Sequence, residues 1–336
     1  MVQDILIKIR SGLTLGRHEM YDALSGITED KYIQAQIGAF LMGLSLRGET
    51  PEEIIGAVGF LKDKVEPISA SDRSIDCCGT GGDASGTYNI STAAALILAG
   101  CGVPVAKHGN RAASSKSGAA DVLEALGVNL VVSKEGCEKA LKEINFCFLM
   151  APHHHTVLKP LAALRKELGF RTIFNLLGPL ANPANTKRQL IGVYDRKLLP
   201  VFAEVLRELG AEKAWIVHGE DGLDEITLTS KTYCTILDNG NISEKVLTPD
   251  DFGFTPIMAK DIEGGLAQEN AKALMALLQG EKSSYRNIVL ANAAAALMVS
   301  DKVDSLKDGV AMAAQAIDDG RALSVLNSYR DFTNHK

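Results

Sequence analysis

Short apolar runs alternate with helical stretches from residue 74 onward, and this alternation is the strongest constraint on the fold. The helical stretches include 91–100, 117–126 and 198–209. Strands that alternate with helices favour a largely parallel sheet covered by helices, hence an α/β fold with a mainly parallel mixed sheet. The predicted strands lie in SIDCCG, VPVAKHG, VNLVVS, FCFLMA, RQLIGVY, AWIVHG and YCTIL.

Residues 1–68, by contrast, contain helical patterns only. Ile37, Leu41 and Leu44 recur at helical spacing, and Gly48 is expected to end that helix. The polar segment 66–72 serves as a linker. A length of 336 residues allows about two domains at ~150 residues each. We therefore predict a small helical domain at 1–68 and a larger α/β domain at 72–336.

Charge and cysteine content exclude several classes of protein. The net charge of −6 offers no overall attraction to nucleic acid or to an anionic membrane. The six cysteines form no CxxC pair and are interpreted as reduced core residues of a cytosolic protein. The N-terminus has no signal-peptide pattern, and no apolar run is long enough to span a bilayer. We expect a cytoplasmic protein with neither nucleic-acid nor membrane partners.

The segment CCGTGGDASGTYNISTAAA, residues 77–95, places a glycine loop between a predicted strand and a predicted helix. Free N–H groups and the helix dipole make this arrangement a binding site for phosphate. Asn89, Ser91 and Thr92 add side-chain donors, and Ser91 could also ligate a metal. The pattern is neither GxGxxG nor a Walker motif. A purely structural turn with a helix cap remains the alternative.

A second polar cluster, KHGNRAASSKSG at 107–118, follows the next predicted strand. It combines the cations Lys107, Arg111 and Lys116 with serine hydroxyls and bare amides. Ligands of open α/β sheets bind at this end of the strands. A solvated basic turn is the alternative, but two such loops in successive units favour a ligand with two separate phosphoryl groups.

Three further signals are weaker when taken alone. Asp224 and Glu225 follow a tight turn, and magnesium prefers one or two carboxylates plus substrate phosphates; adjacent surface acids are the alternative. The tract at 153–155 is three consecutive histidines, which cannot all face one ion. Arg165, on the following helix, could bind a substrate carboxylate through its planar fork or could be an ordinary surface arginine.

Taken together, these stretches resemble the anthranilate phosphoribosyltransferase family along nearly the whole chain. The order and spacing of the motifs are specific, and the RTIFNLLGPLANPA run has no generic structural explanation. The matching motifs are AQIGAFLMGLSLRGETPEEI, GTGGD, NIST, KHGNR, SSKSG, ADVLEALG, RKELGFRTIFNLLGPLANPA and HGEDGLDE.

The resemblance implies transfer of the phosphoribosyl group of 5-phosphoribosyl 1-diphosphate (PRPP) to the amino group of anthranilate. It also implies release of diphosphate with the help of Mg²⁺, two ions per subunit. The implied fold, shared with pyrimidine nucleoside phosphorylases, has its cleft between a helical and an α/β domain. The segment at about 160–185 would pack on the helical domain, through which two subunits would form a homodimer.

The resemblance also assigns site residues. The implied magnesium ligands are Ser91, Asp224 and Glu225, and the implied anthranilate contacts are Gly79, Asn110 and Arg165. The implied PRPP site comprises Gly79, Gly82, Asp83, Thr87, Asn89, Ile90, Ser91, Thr92, Lys107, His108, Gly109, Asn110, Arg111, Ala112, Ala113, Ser114 and Ser115.

The chain departs from the family pattern at Ala119, where serine is common, in HHHTVLKP and in the cysteine pair of CCGTGGD. No residue is an obvious general base, and an aromatic amine that is already unprotonated needs none. One alternative function is a nucleoside phosphorylase on the same fold. Another is a non-catalytic relative that binds nucleic acid, which the net charge and the Asp224–Glu225 pair disfavour.

Overall fold

The computed structural model describes residues 2–83, 85–112 and 116–335. Its centre is a seven-stranded sheet with the strand order β3-β2-β1-β4-β5-β6-β7. The strands are β1 (Ile75–Gly79), β2 (Val105–Gly109), β3 (Phe146–Met150), β4 (Arg188–Gly192), β5 (Lys213–Gly219), β6 (Thr232–Asp238) and β7 (Asn241–Leu247).

The helices precede, cover and follow this sheet. Four of them come before the first strand: α1 (Val2–Arg10), α2 (Arg17–Thr28), α3 (Gln34–Arg47) and α4 (Pro51–Asp63). The others are α5 (Ile90–Gly100), α6 (Ala119–Ala125), α7 (Lys134–Ile144), α8 (Ala151–His154), α9 (Ala162–Leu168), α10 (Phe174–Leu177), α11 (Leu198–Glu208), α12 (Ala267–Leu278), α13 (Ser284–Val299), α14 (Leu306–Asp318) and α15 (Arg321–Asn334).

The pairing of the strands confirms the predicted mainly parallel mixed sheet. The first five strands pair in parallel, whereas β5, β6 and β7 pair antiparallel. Parallel strands end at the same edge of a sheet, so the segments after Gly79, Gly109, Gly192 and Gly219 emerge together. Both predicted phosphate loops and the Asp224–Glu225 pair follow these strand ends.

One predicted strand is wrong, and one observed strand was missed. The run VNLVVS at 128–133 is an extended connection without strand pairing. Its N–H groups donate to side chains, that of Asn129 to Thr333 Oγ1 at 3.1 Å and that of Val131 to Asn129 Oδ1 at 3.0 Å. The missed strand is β7. Only Leu247 in it is buried, so its sequence lacks the apolar run by which the other strands were predicted.

The boundaries of the N-terminal helices follow from local chemistry. Gly48, which follows α3, adopts the positive φ of 85° that glycine tolerates best. Thr50 Oγ1 accepts a bond from the N–H of Glu53 at the start of α4, and Pro51 occupies its first turn. None of the helices in the described part of the chain is long and apolar enough to cross a membrane.

Two apolar clusters lie on opposite faces of the sheet. Ile191 and Ile216 point toward a cluster that includes the cores of α1–α4 and the side chains of α10 and α11. Leu190 and Trp215, one position earlier on the same strands, point toward a cluster built on α5 and α13. The cleft described next opens where the helical cluster meets the carboxyl edge of the sheet.

Candidate active site

A cavity of about 320 Å³ lies at the carboxyl edge of the sheet. Its walls come from the loops after β1, β2 and β5 and from the short helices between β3 and β4. The lining residues include Gly79, Gly82, Asp83, Thr87, Asn89, Ile90, Ser91, Lys107, His108, Gly109, Asn110, Arg111, Ala112, Arg165, Phe174, Asn175, Asp224 and Glu225. The structure thus brings both predicted phosphate loops, the acidic pair and Arg165 to one cavity.

Asp224 and Glu225 connect the third loop to the glycine loop and to α5. Asp224 Oδ2 accepts a hydrogen bond from the N–H of Gly81 at 2.7 Å. Glu225 Oε1 accepts one from the N–H of Ser91 at 3.1 Å. The two carboxylates are therefore fixed by the main chain of the loop and of the helix start that they face.

Burial and mutual repulsion weaken the ionised forms of these acids. Burial raises the pKa of Asp224 well above its usual value, and the charges of Asp83 and Glu225 raise it further. Burial also raises the pKa of Glu225 to about 7, although the Lys107 ammonium opposes the shift. A site that concentrates carboxylates in this way favours a bound cation.

Two glycines make room for Asp224. A Cβ atom at Gly79 would lie 2.3 Å from Asp224 Oδ2, and one at Gly192 would lie 1.5 Å from the Asp224 carbonyl oxygen. Neither distance is compatible with a side chain. These strand-end glycines are therefore needed for the close approach of the acidic loop, whatever their role toward a ligand.

The residues present fit magnesium. The donors are hard oxygens: the Asp224 and Glu225 carboxylates, the Ser91 hydroxyl and, on the same cavity wall, Asp83. Among the described residues, no group of three or more His, Cys, Asp and Glu side chains is arranged to hold a metal alone. Both observations agree with an ion that takes few protein ligands and completes its shell with substrate oxygens and water.

Lys107 is a buried cation at the base of the cavity. Its side chain is 1% exposed, and Nζ donates to the Cys77 carbonyl oxygen at 2.5 Å and to Ser91 Oγ at 3.2 Å. Buried lysines are rare unless their charge is compensated. Glu225 and Asp76 provide the compensating negative charge. Burial raises the pKa of both carboxyl groups, and the charge of Lys107 opposes each rise.

Two asparagines on C-terminal helices form hydrogen bonds with residues of the loops that line the site. Asn270 on α12 donates to Asn89 Oδ1 at 2.9 Å, which turns the Asn89 amide so that it donates to the Ser117 carbonyl oxygen at 3.2 Å. Asn292 on α13 bonds both the N–H and the carbonyl of Ile226, the residue after Glu225. The start of α5 and the acidic loop are thus both held by buried amides.

The part of the cavity wall that comes from the short helices between β3 and β4 is built differently. Arg165 lies on α9, half-buried, with its guanidinium 5.3 Å from the centre of the Phe174 ring. Burial lowers its pKa, and no described residue forms a hydrogen bond or an ion pair with it. An arginine in this state has its whole fork available for an external anion.

Two of the predicted contacts lie where the structure gives no support for a direct ligand role, and three others cannot be placed. Thr92 lies in the first turn of α5, is 1% exposed and does not line the cavity. Arg111 lines the cavity, but its guanidinium bonds Asp121 and Glu124. The predicted contacts Ala113, Ser114 and Ser115 lie outside the described residues.

Sequence reasoning missed cavity residues between β3 and β4, chiefly Phe174, Asn175 and Gly178. Asn175 Oδ1 accepts from the N–H of Thr172 at 3.0 Å, and the Gly178 carbonyl contacts His108 Nδ1 at 2.8 Å. Their signal was the RTIFNLLGPL run itself, which matches no periodic element and therefore indicated a specific role.

Known protein families match the chain in two successive segments. Residues 3–64 match the model of the glycosyl transferase family helical bundle domain, and residues 71–323 match that of the glycosyl transferase family a/b domain. The anthranilate phosphoribosyltransferase of Chelativorans sp. (strain BNC1) is 48% identical over 331 residues, which cover 98% of each chain.

Solved structures agree in fold and length. The anthranilate phosphoribosyltransferase of Thermus thermophilus has a TM-score of 0.92 at 38% identity, covering 99% of this chain and 100% of that chain. The Saccharomyces cerevisiae enzyme, solved in complex with PRPP and Mg, has a TM-score of 0.91 at 28% identity, covering 99% and 97%. The same yeast enzyme has also been solved with 4-fluoroanthranilate.

Proposed function

The chain belongs to the anthranilate phosphoribosyltransferase family, and from this premise we propose that it transfers the phosphoribosyl group of PRPP to the amino group of anthranilate, as a step of tryptophan biosynthesis. The reaction forms a bond from nitrogen to the anomeric carbon and releases diphosphate. The observation that carries this proposal is one cavity lined both by the buried carboxylates Asp224 and Glu225 and by the half-buried Arg165, for which no described residue is a polar partner.

The donor substrate is assigned to the wall formed by the glycine loop, the start of α5 and the loop after β2. Displacement at an anomeric carbon passes through an oxocarbenium-like state, so the leaving diphosphate must be neutralised and the amine aligned. The N–H of Gly81 donates to Asp224 and that of Ser91 to Glu225, so the donors left for phosphate oxygens in the glycine loop are the main-chain N–H groups of Gly82 and Asp83. Lys107 supplies a buried positive charge beneath them.

Magnesium would be held by Asp224, Glu225 and Ser91, with two ions per subunit. When bound, it supplies positive charge to the diphosphate leaving group. Support comes from the hard-oxygen donors and the raised carboxyl pKa values described above. The number of ions is tested by calorimetric titration of Mg²⁺ in the presence of PRPP, where a stoichiometry of one would refute the proposal of two.

Anthranilate is assigned to the Arg165 wall, with Gly79 and Asn110 as further contacts. The planar carboxylate of the substrate matches the fork of the guanidinium, and the Phe174 ring beneath it presents an apolar surface. An aromatic amine is unprotonated near neutral pH, so it attacks without a strong general base. The neighbouring His108 and His155 agree with this, since burial lowers the pKa of His108 to about 3 and that of His155 to about 4, which makes both side chains neutral.

The direct test is loss of anthranilate fluorescence with PRPP and Mg²⁺, together with measurement of the diphosphate released. We expect one diphosphate for each anthranilate consumed, and no activity when Mg²⁺ is removed by a chelator. Phosphorolysis of a pyrimidine nucleoside without consumption of anthranilate would overturn the assignment in favour of a nucleoside phosphorylase.

We further propose a homodimer that forms through the helical domain. Support comes from large apolar side chains left exposed on or beside α1 and α3, namely Ile7, Leu13, Met42 and Leu46, the last of them 80% exposed. A charged residue at this surface would disfavour association because a charge is costly at an apolar interface. Leu46→Lys is therefore expected to yield monomers by analytical ultracentrifugation, and an unchanged mass would contradict the proposed interface.

The domain division at 1–68 and 72–336 and the cytoplasmic location remain proposals. The division is supported by the family matches at 3–64 and 71–323. Ile173, Phe174 and Leu177 belong to the same apolar cluster as the α1–α4 core, which supports packing of the 160–185 segment on the helical domain.

The proposed cytoplasmic location is supported by six free cysteines, since disulfides are rare in the cytosol. Limited proteolysis within 66–72 and cell fractionation would test them.

A further inference from the structure

Arg171 lies between α9 and α10, behind the cavity wall, and connects three parts of the molecule. Its Nη1 donates to the carbonyl oxygen of Gly82 at 2.6 Å. Its guanidinium stacks on the Tyr194 ring, 4.2 Å from the centre. Its own carbonyl oxygen accepts a bond from Ser45 Oγ on α3 at 3.0 Å. No described aspartate or glutamate forms an ion pair with it.

The bond to Gly82 fixes a part of the glycine loop that has little conformational preference of its own. Gly81 and Gly82 both adopt left-handed φ angles, 70° and 76°, and glycine loses more freedom on ordering than any other residue. A trans peptide directs its carbonyl and its N–H to opposite sides. The Gly82 carbonyl bonds Arg171, which does not line the cavity, so the N–H of Asp83 points away from Arg171, and Asp83 itself lines the cavity.

Tyr194 ties the same loop at its other end. Its main-chain N–H donates to Thr80 Oγ1 at 3.1 Å, two residues before Gly82. Arg171 thus contacts the loop at Gly82 through its side chain. Tyr194, on which Arg171 stacks, contacts the loop at Thr80 through its main chain. Cation–π stacking of this kind favours one orientation of the guanidinium. The Ser45 bond connects this unit to the helical bundle.

We propose that Arg171 is a positioning residue for the PRPP site: it orients the Gly82–Asp83 peptide so that its N–H faces the diphosphate, and it couples that peptide to α3. This inference rests on the proposed function. It assigns no substrate contact to Arg171, which does not line the cavity. Its expected signature is therefore an effect on the donor substrate that does not extend to the acceptor.

The test compares Arg171→Met with Arg171→Lys by steady-state kinetics, varying PRPP and anthranilate separately. Methionine keeps the apolar stem without the donors, so we expect the KM for PRPP to rise roughly tenfold, as for loss of one charged hydrogen bond, with the KM for anthranilate within about twofold of wild type. Lysine offers one donor without a stacking plane and should recover part of the loss.

Arg196→Met is the matched control. Arg196 stacks on Tyr233 at 3.5 Å in the same segment as Tyr194, but it has no contact with the glycine loop. We expect wild-type KM values for both substrates. Tyr194→Leu, which removes the stacking face, should raise the KM for PRPP less than Arg171→Met does, and it serves as the test if Arg171→Met fails to fold.

An Arg171→Met enzyme with a wild-type KM for PRPP, or with equal rises in both KM values, would overturn this inference. So would an equal effect of Arg196→Met. Failure of the proposed function is separate, since it would appear as absence of anthranilate consumption by the wild-type protein.

Discussion

The two walls of the cavity differ in how far the protein completes them. On the donor wall, Asp224, Glu225, Asn89 and Lys107 each form hydrogen bonds with other parts of the chain. On the acceptor wall, Arg165 has no polar partner among the described residues and rests on an aromatic ring. The donor wall is assembled in advance, whereas the acceptor wall presents an arginine without a described polar partner.

Fold topology explains the difference. The donor wall grows from the ends of parallel strands, whose register holds neighbouring loops at fixed spacing, and it is supported by the long helices α12 and α13. The acceptor wall consists of the short elements α8, α9 and α10 and a 3-10 turn at Thr156–Leu161 between β3 and β4. A multiply charged ligand needs many preset donors, while a monocarboxylate needs one fork and a flat apolar surface.

The largest effect is expected at the acidic pair. Asp224→Asn and Glu225→Gln should lower kcat at least about a hundredfold, because the metal that neutralises the leaving group loses a ligand. Glu220→Gln, at an exposed carboxylate in the same loop, is the control and should leave kcat unchanged. Near-normal magnesium-dependent turnover in the double variant would show that the donor wall is not built around this pair.

Next in size is a single methyl group at Gly79. Gly79→Ala would place Cβ 2.3 Å from Asp224 Oδ2 and displace the carboxylate, so we expect PRPP affinity by calorimetry to fall at least about tenfold. Gly59→Ala, where a Cβ has open space, is the matched control. Unchanged affinity together with a lower melting temperature would reduce Gly79 to a purely structural role.

On the acceptor wall, Arg165→Ala should raise the KM for anthranilate at least tenfold, since losing a partly buried bidentate pair costs about 2–4 kcal/mol. Arg165→Lys should recover only part, because lysine has no fork. Lys166→Ala, at the exposed neighbouring residue, is the control. A deficit in the PRPP parameters instead would move Arg165 to the donor wall.

A smaller effect on stability is expected from His155, behind the acceptor wall. Burial lowers its pKa from 6.5 to about 4, so between these values the unfolded chain binds a proton that the folded chain does not. The free energy of unfolding should therefore fall as the pH drops through this window, by about 3 kcal/mol from this residue alone. Nothing is expected from it above about pH 7.

The variant His155→Phe keeps the ring that meets His108 edge-on at 5.2 Å but removes the titration. Its stability, measured by urea unfolding from pH 7 to pH 4, should depend less steeply on pH than that of wild type. His18→Gln, at an exposed histidine, is the matched substitution for comparison. Equal slopes for wild type and His155→Phe would show that His155 is not held neutral.

Local patterns predicted the fold class and most of the donor wall. A glycine loop between a strand and a helix, repeated in the next unit, gives both position and chemistry, because strand ends and helix starts are visible in a short window. The acidic pair was a weak signal until the parallel sheet brought it to the glycine loop. Short apolar runs were less informative, since VNLVVS is an extended connection and not a strand.

Contacts between distant segments could not be predicted. Asn270 lies 181 residues from Asn89, and Asn292 lies 66 residues from Ile226, so nothing in a local window relates them. Arg111 looked like a phosphate ligand, yet it pairs with carboxylates on α6, one helical turn apart. That no described residue pairs with Arg165 likewise depends on what surrounds it in the fold.

The most direct test of the difference between the walls is calorimetric titration of PRPP with Mg²⁺ into Arg165→Ala, in the absence of anthranilate. If the donor wall is complete without its counterpart, the variant should bind PRPP with a Kd within about twofold of wild type, as expected when mutated and binding groups share no partner. A tenfold weaker Kd would contradict the account, because PRPP binding would then depend on the acceptor wall as well as on the donor wall.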